Sequence, residues 1–357
     1  MSRSAACGLA LLILAAACGV PASRTLDPAP SAPSAQATRL PGPAAPTPAP
    51  TATPPPTLAP AAFSVAATIE TIDLAKMNDH LVALTSVGSR DPRHPGHARA
   101  IAYIKEQLSA LAYWGWRIES QRTSYQGIPL ENIFATLDPP AGAPATGWVN
   151  VSAHYDSTAN RTPGWRPAID PAPGADDNAT GTAALLELAR VVSPHRAQLR
   201  TRLVLAFFDG EELFFKGSAA YVASLPRPLP YKAAINLDMV GFNPLADRLD
   251  LLWYTSASAG LRDQVVAANR TYAIGVSPLN AQFAADGSTI MDAAPFGLAG
   301  IPSVAICQRY GVNDATFPGN DTFHTVNDTP DKITNPRLWL KAAKLTLAVA
   351  LELARQG

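Results

Sequence analysis

The chain has 357 residues, with 28 Lys+Arg against 28 Asp+Glu and so no formal net charge. That balance excludes a broad electrostatic nucleic-acid surface, which needs a basic excess, and 3 cysteines are too few for a disulfide scaffold. Hydrophobic residues make up 47%, enough for a sizeable core, while the 34 prolines are unevenly spread and well above the usual share.

Met1 to Cys18 reads as a secretory leader. Arg3 supplies the positive start, and Ala5–Ala17 is an apolar run of 13 residues. That length suits a signal peptide and is too short to span a bilayer as a helix. The small residues before Cys18 resemble the lipobox of bacterial lipoproteins, which implies lipidation of Cys18. Ala15 stands where the lipobox has leucine, with Leu14 one place farther back. The alternative is cleavage near Ala17, with Cys18 an incidental neighbour. Either way the expectation is export, as an envelope lipoprotein or a secreted protein, with contact to a membrane only through the anchor. Residues 19–62 follow as a tether. Pro21–Pro60 holds 13 prolines in 40 residues, and only Arg24, Asp27 and Arg39 are charged there. Such a segment buries too little apolar area to offset its ordering entropy and favours extended polyproline II.

From Phe63 the texture changes, and residues 63–357 read as one large α/β domain. Ile72–Leu84 and Ala98–Leu111 have helical apolar spacing. Arg117–Ser124, Asn132–Leu137 and Val149–Ala153 read as strands. Ala179–Val192 is a strong helix closed by Ser193-Pro194. Leu203–Phe208 is a continuous apolar strand, as expected for one buried on both faces. A short helix at Ser218–Leu225, strands at Ala233–Leu237 and Leu249–Tyr254, a helix at Leu261–Asn269, a strand at Ser303–Cys307 and a terminal helix at Arg337–Arg355 complete the series. Strands alternating with helices imply a largely parallel sheet covered on both faces.

Ligands of open α/β sheets bind beyond the carboxyl ends of strands. Five acid- or His-bearing segments fall at such ends or in the loops after them: Ser152-Ala-His-Tyr-Asp156, Pro173-Gly-Ala-Asp-Asp-Asn-Ala-Thr-Gly181, Phe207-Phe-Asp-Gly-Glu-Glu212, Ile235-Asn-Leu-Asp-Met239 and Thr322-Phe-His-Thr-Val-Asn-Asp-Thr329. Singly, each has a bland reading: a helix cap for the Asp pair, a solvated turn for the Glu pair, a turn residue for the lone Asp. His80, His94, His97 and His195 stand outside any motif and read as surface residues. Cys307 reads as a small core residue.

Taken in order, the five segments resemble the co-catalytic zinc aminopeptidases, a family that includes secreted bacterial leucine aminopeptidases and has glutamate carboxypeptidases and glutaminyl cyclases as relatives. Gly88-Ser-Arg90, Gly217-Ser-Ala-Ala-Tyr221 and Asp292-Ala-Ala-Pro-Phe296 extend the likeness, which covers Leu74 to Leu351. It implies a single α/β domain with a mixed, mostly parallel central sheet flanked by helices. It implies two zinc ions per chain, one on His154 and Asp238, the other on Glu212 and His324. Asp177, four residues before Gly181, would bridge them together with a shared hydroxide. Two Zn²⁺ against three carboxylates and a hydroxide leave no net charge, which a partly buried site tolerates far better than bare carboxylates.

The resemblance also implies a cis peptide bond between Asp177 and Asn178. Glu211, beside a ligand but not itself ligating, is the expected general base, taking a proton from water and returning it to the leaving amine. Asp156 lies two residues after His154, on the same side of an extended chain, and is expected to accept the second imidazole N–H. Asp292 matches a family Asp near the substrate, although Ala293 stands where the family commonly has His, and Phe323 precedes His324 as in the cyclases. The stretch Asn160–Pro173 is either a loop over the cleft or a surface excursion. The expected function is a zinc exopeptidase that removes N-terminal residues from peptides. The alternative is a glutaminyl-peptide cyclotransferase using the same site with one zinc, and a non-catalytic binding module stands behind both.

Overall fold

Eight strands join one sheet in a computed structural model that describes residues 63–143, 147–277, 279–283, 291–308 and 317–356. The leader, Cys18 and the Pro-rich tether lie outside the described residues. The strands are β1 (Trp116–Tyr125), β2 (Ile128–Leu137), β3 (Trp148–His154), β4 (Arg202–Phe208), β5 (Tyr231–Asp238), β6 (Leu249–Trp253), β7 (Leu279–Phe283) and β8 (Ser303–Cys307), ordered β1-β2-β4-β3-β5-β8-β6-β7. The β3–β4, β3–β5, β5–β8 and β6–β7 pairings are parallel, and the remaining three are antiparallel. The sheet is thus mixed and parallel at its centre, the expected class. Helices α1 (Val65–Ile69), α2 (Leu74–Ser86), α3 (Pro95–Ser109), α4 (Thr180–Val192), α5 (Lys216–Ser224), α6 (Ala259–Thr271), α7 (Ala293–Leu298) and α8 (Pro336–Arg355) flank it.

The two faces are legible in β4. Leu203, Leu205 and Phe207 join the core that also holds residues of α2, α3, α4, α6 and α8. Val204, Ala206 and Phe208 alternate to the opposite face, against Val222 of α5 and Phe296 of α7. A strand covered on both sides carries no polar alternation, hence the unbroken apolar run. The hairpin β1–β2 closes on Gln126 and Gly127, both at positive φ (50° and 80°), a two-residue turn that matches the strand twist and extends β2 back to Ile128. Three short elements have no counterpart in the sequence reading: α1, β7 and α7. The helices α1 and α7 are 5 and 6 residues long, too short for helical periodicity to register, and β7 is defined by its pairing with β6.

Helix α4 begins where the chain must pass closest to β5. A Cβ on Gly181 would lie 2.5 Å from Asn178 Oδ1 and 2.7 Å from the Leu237 carbonyl oxygen. The Gly181 N–H donates to that same Asn178 Oδ1 (2.9 Å), and Asn178 Nδ2 donates to the Leu237 carbonyl (2.9 Å). Gly181→Ala is therefore expected to lose about 1–3 kcal/mol by overpacking, read as a fall of several degrees in Tm. An unchanged Tm would show that this approach is looser than described.

Candidate metal centre

The sheet order sets three strand ends side by side, with β3 in the middle. His154 is the last residue of β3 and pairs with Phe208, the last of β4. On the other side Ser152 pairs with Asn236, which brings the end of β3 level with Asp238 at the end of β5. Past Phe208 the chain turns through Asp209 and Gly210 into Glu211 and Glu212. Asp177 comes from the kinked turn Ala175–Ala179 ahead of α4, where its φ and ψ (−110°, 94°) are not helical and its bond to Asn178 is cis. His324 comes from the irregular segment between β8 and α8.

These five side chains meet. His154 Nε2 lies 3.2 Å from Asp177 Oδ1 and 3.4 Å from Asp238 Oδ1. His324 Nε2 lies 3.0 Å from Asp177 Oδ2 and 3.0 Å from Glu212 Oε2. Two groups result, His154–Asp177–Asp238 and Asp177–Glu212–His324, each with ligand atoms within 4.8 Å of one another. Asp177 offers a different oxygen to each. Glu211 Oε2 stands farther off, 4.0 Å from His154 Nε2. Glu211 also groups with His154 and Glu212, but its longer reach sets it outside the inner ring.

The inner side chains are held from behind. Asp156 accepts the backbone N–H groups of Glu211 (3.2 Å) and Glu212 (3.1 Å), one on each oxygen. Its Oδ1 is 3.4 Å from His154 Nδ1, but that nitrogen lies nearer the Asp156 carbonyl oxygen, at 3.2 Å. The carboxylate thus serves the Glu-Glu turn at least as much as the imidazole, a role the i, i+2 spacing does not announce. Asp328 does the same for the bridging acid, accepting the N–H of Asp176 and of Asp177 at 3.0 Å each. Asp176 is spent on scaffolding. It accepts the Gly241 N–H, the Gln308 amide and the Asn320 amide, so Asp177 is the member of the pair in the cluster.

The fully buried Arg90 guanidinium binds the carbonyls of Tyr155, Pro173 and Gly174, tying the chain after β3 to the turn before Asp177. His97 is not a surface residue. It is buried, stacks on Tyr155 and places Nε2 3.0 Å from Asp209 Oδ2. Its partner lies 112 positions away, beyond any local pattern. His80, His94 and His195 are half-buried, and His94 caps α3.

The electrostatics ask for cations. Burial lowers the tendency of an imidazole to protonate, but carboxylates outweigh it at both histidines. Asp238 and Glu211 lead at His154, holding it well above its ordinary range, and Glu212 leads at His324, pushed up to about 10. Burial pushes Glu211 well up, Glu212 up to about 8, and Asp238 and Asp292 (to about 7) upward too. At Asp177 burial works the same way, but the two imidazoles on its oxygens hold it below the usual range. So many acids in a desolvated pocket resist ionising together.

His154 Nε2, Asp177 Oδ2 and Glu212 Oε1 are buried without a hydrogen-bond partner, a costly state unless another ligand completes them. Imidazole nitrogens and carboxylate oxygens in threes suit zinc, whose catalytic sites take three protein ligands and leave a position open. The residues fit a pair of divalent cations, one on each group, sharing Asp177.

A cavity of about 310 Å³ opens over this floor, walled by Asn160, Phe214, Phe215, Met239, Met291 and Phe323. Among the described residues seven non-glycines hold left-handed φ, and five of them, Phe214, Phe215, Met239, Met291 and His324, line this cavity. Backbone strain is thereby concentrated at the site, where surrounding contacts enforce it. The Phe323 ring stacks on that of His324 with centroids 3.6 Å apart. Asp292, wholly buried, is electrostatically coupled to His154 and Asp238. The excursion Asn160–Pro173 lies against the His324 segment, and Asn160 reaches the cavity.

Known proteins resemble this chain in sequence and in fold. The family model described as peptidase family M28 matches residues 132–350. The uncharacterized protein YfbL of Escherichia coli K12 is 37% identical over 148 residues, 40% of this chain and 42% of its own length. Aminopeptidase YwaD of Bacillus subtilis is 30% identical over 204 residues, 56% of this chain and 40% of its own. The chain thus spans about two fifths of the length of these relatives. Among solved structures, the LapA aminopeptidase of Legionella pneumophila superposes with a TM-score of 0.66 at 19% identity, covering 82% of this chain and 75% of that one. The glutaminyl cyclase of Porphyromonas gingivalis does so at 0.65 and 22%, covering 79% and 99%. At these identities the superpositions speak for the fold.

Asp156→Ala would leave two N–H groups of the Glu-Glu turn without acceptors. Zinc affinity, measured by chelator competition, is expected to fall about 10- to 100-fold. Parent-like affinity would show that the turn holds its shape without Asp156.

Proposed function

The chain belongs to peptidase family M28, and on that premise we propose that it is a zinc-dependent aminopeptidase acting on the amino ends of peptides outside the cytoplasm. The observation that carries this reading is the division of one cluster into two complete three-residue groups that share Asp177. Two zinc ions there would supply Lewis acidity, polarising the scissile carbonyl and lowering the pKa of a water.

The protein's own residues do the rest. Glu211, next to the cluster but set back from it, takes the proton of the attacking water on its carboxylate and delivers it to the departing amine nitrogen. Burial, which raises its proton affinity, suits a group that must hold a proton between those two events. Asp156 fixes the turn that carries Glu211 and Glu212. The apolar wall of the cavity receives the side chain of the terminal residue and limits access of bulk water, with Phe323 as a substrate contact; Asp292, wholly buried and outside the cavity lining, acts on the substrate only through the charges of the cluster. The leader ending at Cys18 supports export, with the lipid on Cys18 and the Pro-rich segment as anchor and spacer.

A second reading has two features in its favour, the aromatic Phe323 packed on His324 and the run Phe207-Phe-Asp-Gly-Glu-Glu212, which resembles the cyclases. It is cyclisation of N-terminal glutamine with a single zinc. The completeness of the His154–Asp177–Asp238 group favours the two-metal peptidase.

Incubation with an aminoacyl-nitroanilide and, separately, with a Gln-initiated peptide separates the two. The peptidase releases nitroaniline, stops on chelation and recovers with zinc. Pyroglutamyl product without nitroaniline release would overturn it in favour of the cyclase. Glu211→Gln is expected to keep its zinc while losing about 10²-fold or more of kcat, and a variant as active as the parent would remove Glu211 from the mechanism.

A further inference from the structure

His324 differs from its partners in how it is held. His154 and Asp238 end adjacent strands, Glu212 is fixed through Asp156, and Asp177 through Asp328. His324 sits in mid-span of an irregular segment tied to the turn around Asp177 at Asn320, whose amide binds Asp176 (2.8 Å), and at Asp328. Its φ of 57° lies in the left-handed region, uncommon for a residue other than glycine. Three hydrogen bonds reach this span from the excursion after β3. The Arg161 N–H donates to the His324 carbonyl (3.0 Å), Arg161 Nη1 donates to the Phe323 carbonyl (3.0 Å), and the Val326 N–H donates to Thr162 Oγ1 (3.0 Å). The Arg161 guanidinium also lies 5.7 Å from the centroid of the Phe323 ring.

The excursion is itself braced. The Ser157 hydroxyl donates to the Ala172 carbonyl (2.7 Å), Arg166 pairs with Asp170, and the Trp165 indole donates to the Pro171 carbonyl (3.1 Å). Arg90 pins its far end at Pro173 and Gly174 without help from the tip.

We propose that the Asn160–Pro173 excursion is a clamp that sets His324, so that Arg161 and Thr162 are positioning residues for cation binding at the Asp177–Glu212–His324 group alone. The proposal rests on the reading of that cluster as a two-cation site. It makes the two cations separable, because the hydrogen bonds of Arg161 and Thr162 go to the His324 segment and not to His154, Asp177 or Asp238. A peptide end entering the cavity past Asn160 and Phe323 therefore meets a wall whose order is coupled to the second cation.

The test is a zinc titration of the full chain, stripped of metal, against a chromophoric chelator, which resolves two dissociation constants. His324→Ala identifies the constant that belongs to the second group. Arg161→Ala/Thr162→Val removes the two side-chain hydrogen bonds and the ring contact while keeping the Arg161 N–H on the His324 carbonyl; it is expected to weaken that constant about tenfold and leave the other unchanged. Thr162→Ser, which keeps the hydroxyl acceptor, should bind both ions as the parent does. Arg161 is exposed and Thr162 half-buried, so the double variant should fold, and its metal-free Tm verifies this. Equal constants in parent and double variant, or a loss at both groups together, would overturn the clamp while leaving the two-cation reading intact. A parent that binds fewer than two zinc ions would overturn both.

Discussion

The carboxylate of Asp177 lies between two imidazoles, 3.2 Å from one and 3.0 Å from the other, through different oxygens. Everything else at the site serves that shared group. A single carboxylate can face two ways only if its backbone is fixed, and three supports fix it. Asp328 accepts two consecutive N–H groups, Asn178 reaches across to β5, and the absence of a side chain at Gly181 allows α4 to start against the Leu237 carbonyl. The same constraint explains the depth of the site. Burial strengthens every interaction with a divalent ion and makes bare acids reluctant to ionise together. The cluster therefore sets its carboxylates around two imidazoles whose proton affinity they raise, a donor set suited to divalent cations.

The scaffold and the site divide their labour along the chain. The β4-β3-β5 order, with apolar side chains packed on both faces, delivers His154, the Glu-Glu turn and Asp238 to one edge of the sheet. Loops then carry what strands cannot, the bridging acid and the second histidine. The rigid half of the cluster stands on the sheet, and the half that depends on side-chain-to-backbone hydrogen bonds stands on loops. That asymmetry is the usual one between a framework and the segments that make contact with ligands.

Much of this is legible in the sequence. Leu203–Phe208 announces a strand buried on both faces, and the long amphipathic run from Arg337 announces α8. The five segments containing His154, Asp177, Glu212, Asp238 and His324 stand at strand ends and in loops, where an open α/β sheet puts its ligands, and the structure brings those five side chains together. What the letters do not carry is partnership at long range. His97 has no motif around it because its reason for being buried, Asp209, sits on another element. Asp328 looks like one more loop acid until its oxygens are seen on the Asp176 and Asp177 N–H groups. Asp156 does appear in a motif, but its principal bonds go to a turn 55 residues away, which spacing to His154 cannot reveal. The short elements β7 and α7 escape for a different reason: they are set by pairing and packing rather than by their own periodicity.

Five side chains converge on Asp177 as a donor set for two cations. Anomalous diffraction from crystals of the zinc-loaded protein, recorded on both sides of the zinc absorption edge, tests that arrangement most directly. Two anomalous peaks are expected, one against His154 and Asp238, the other against Glu212 and His324. A single peak, or zinc bound away from Asp177, would contradict it.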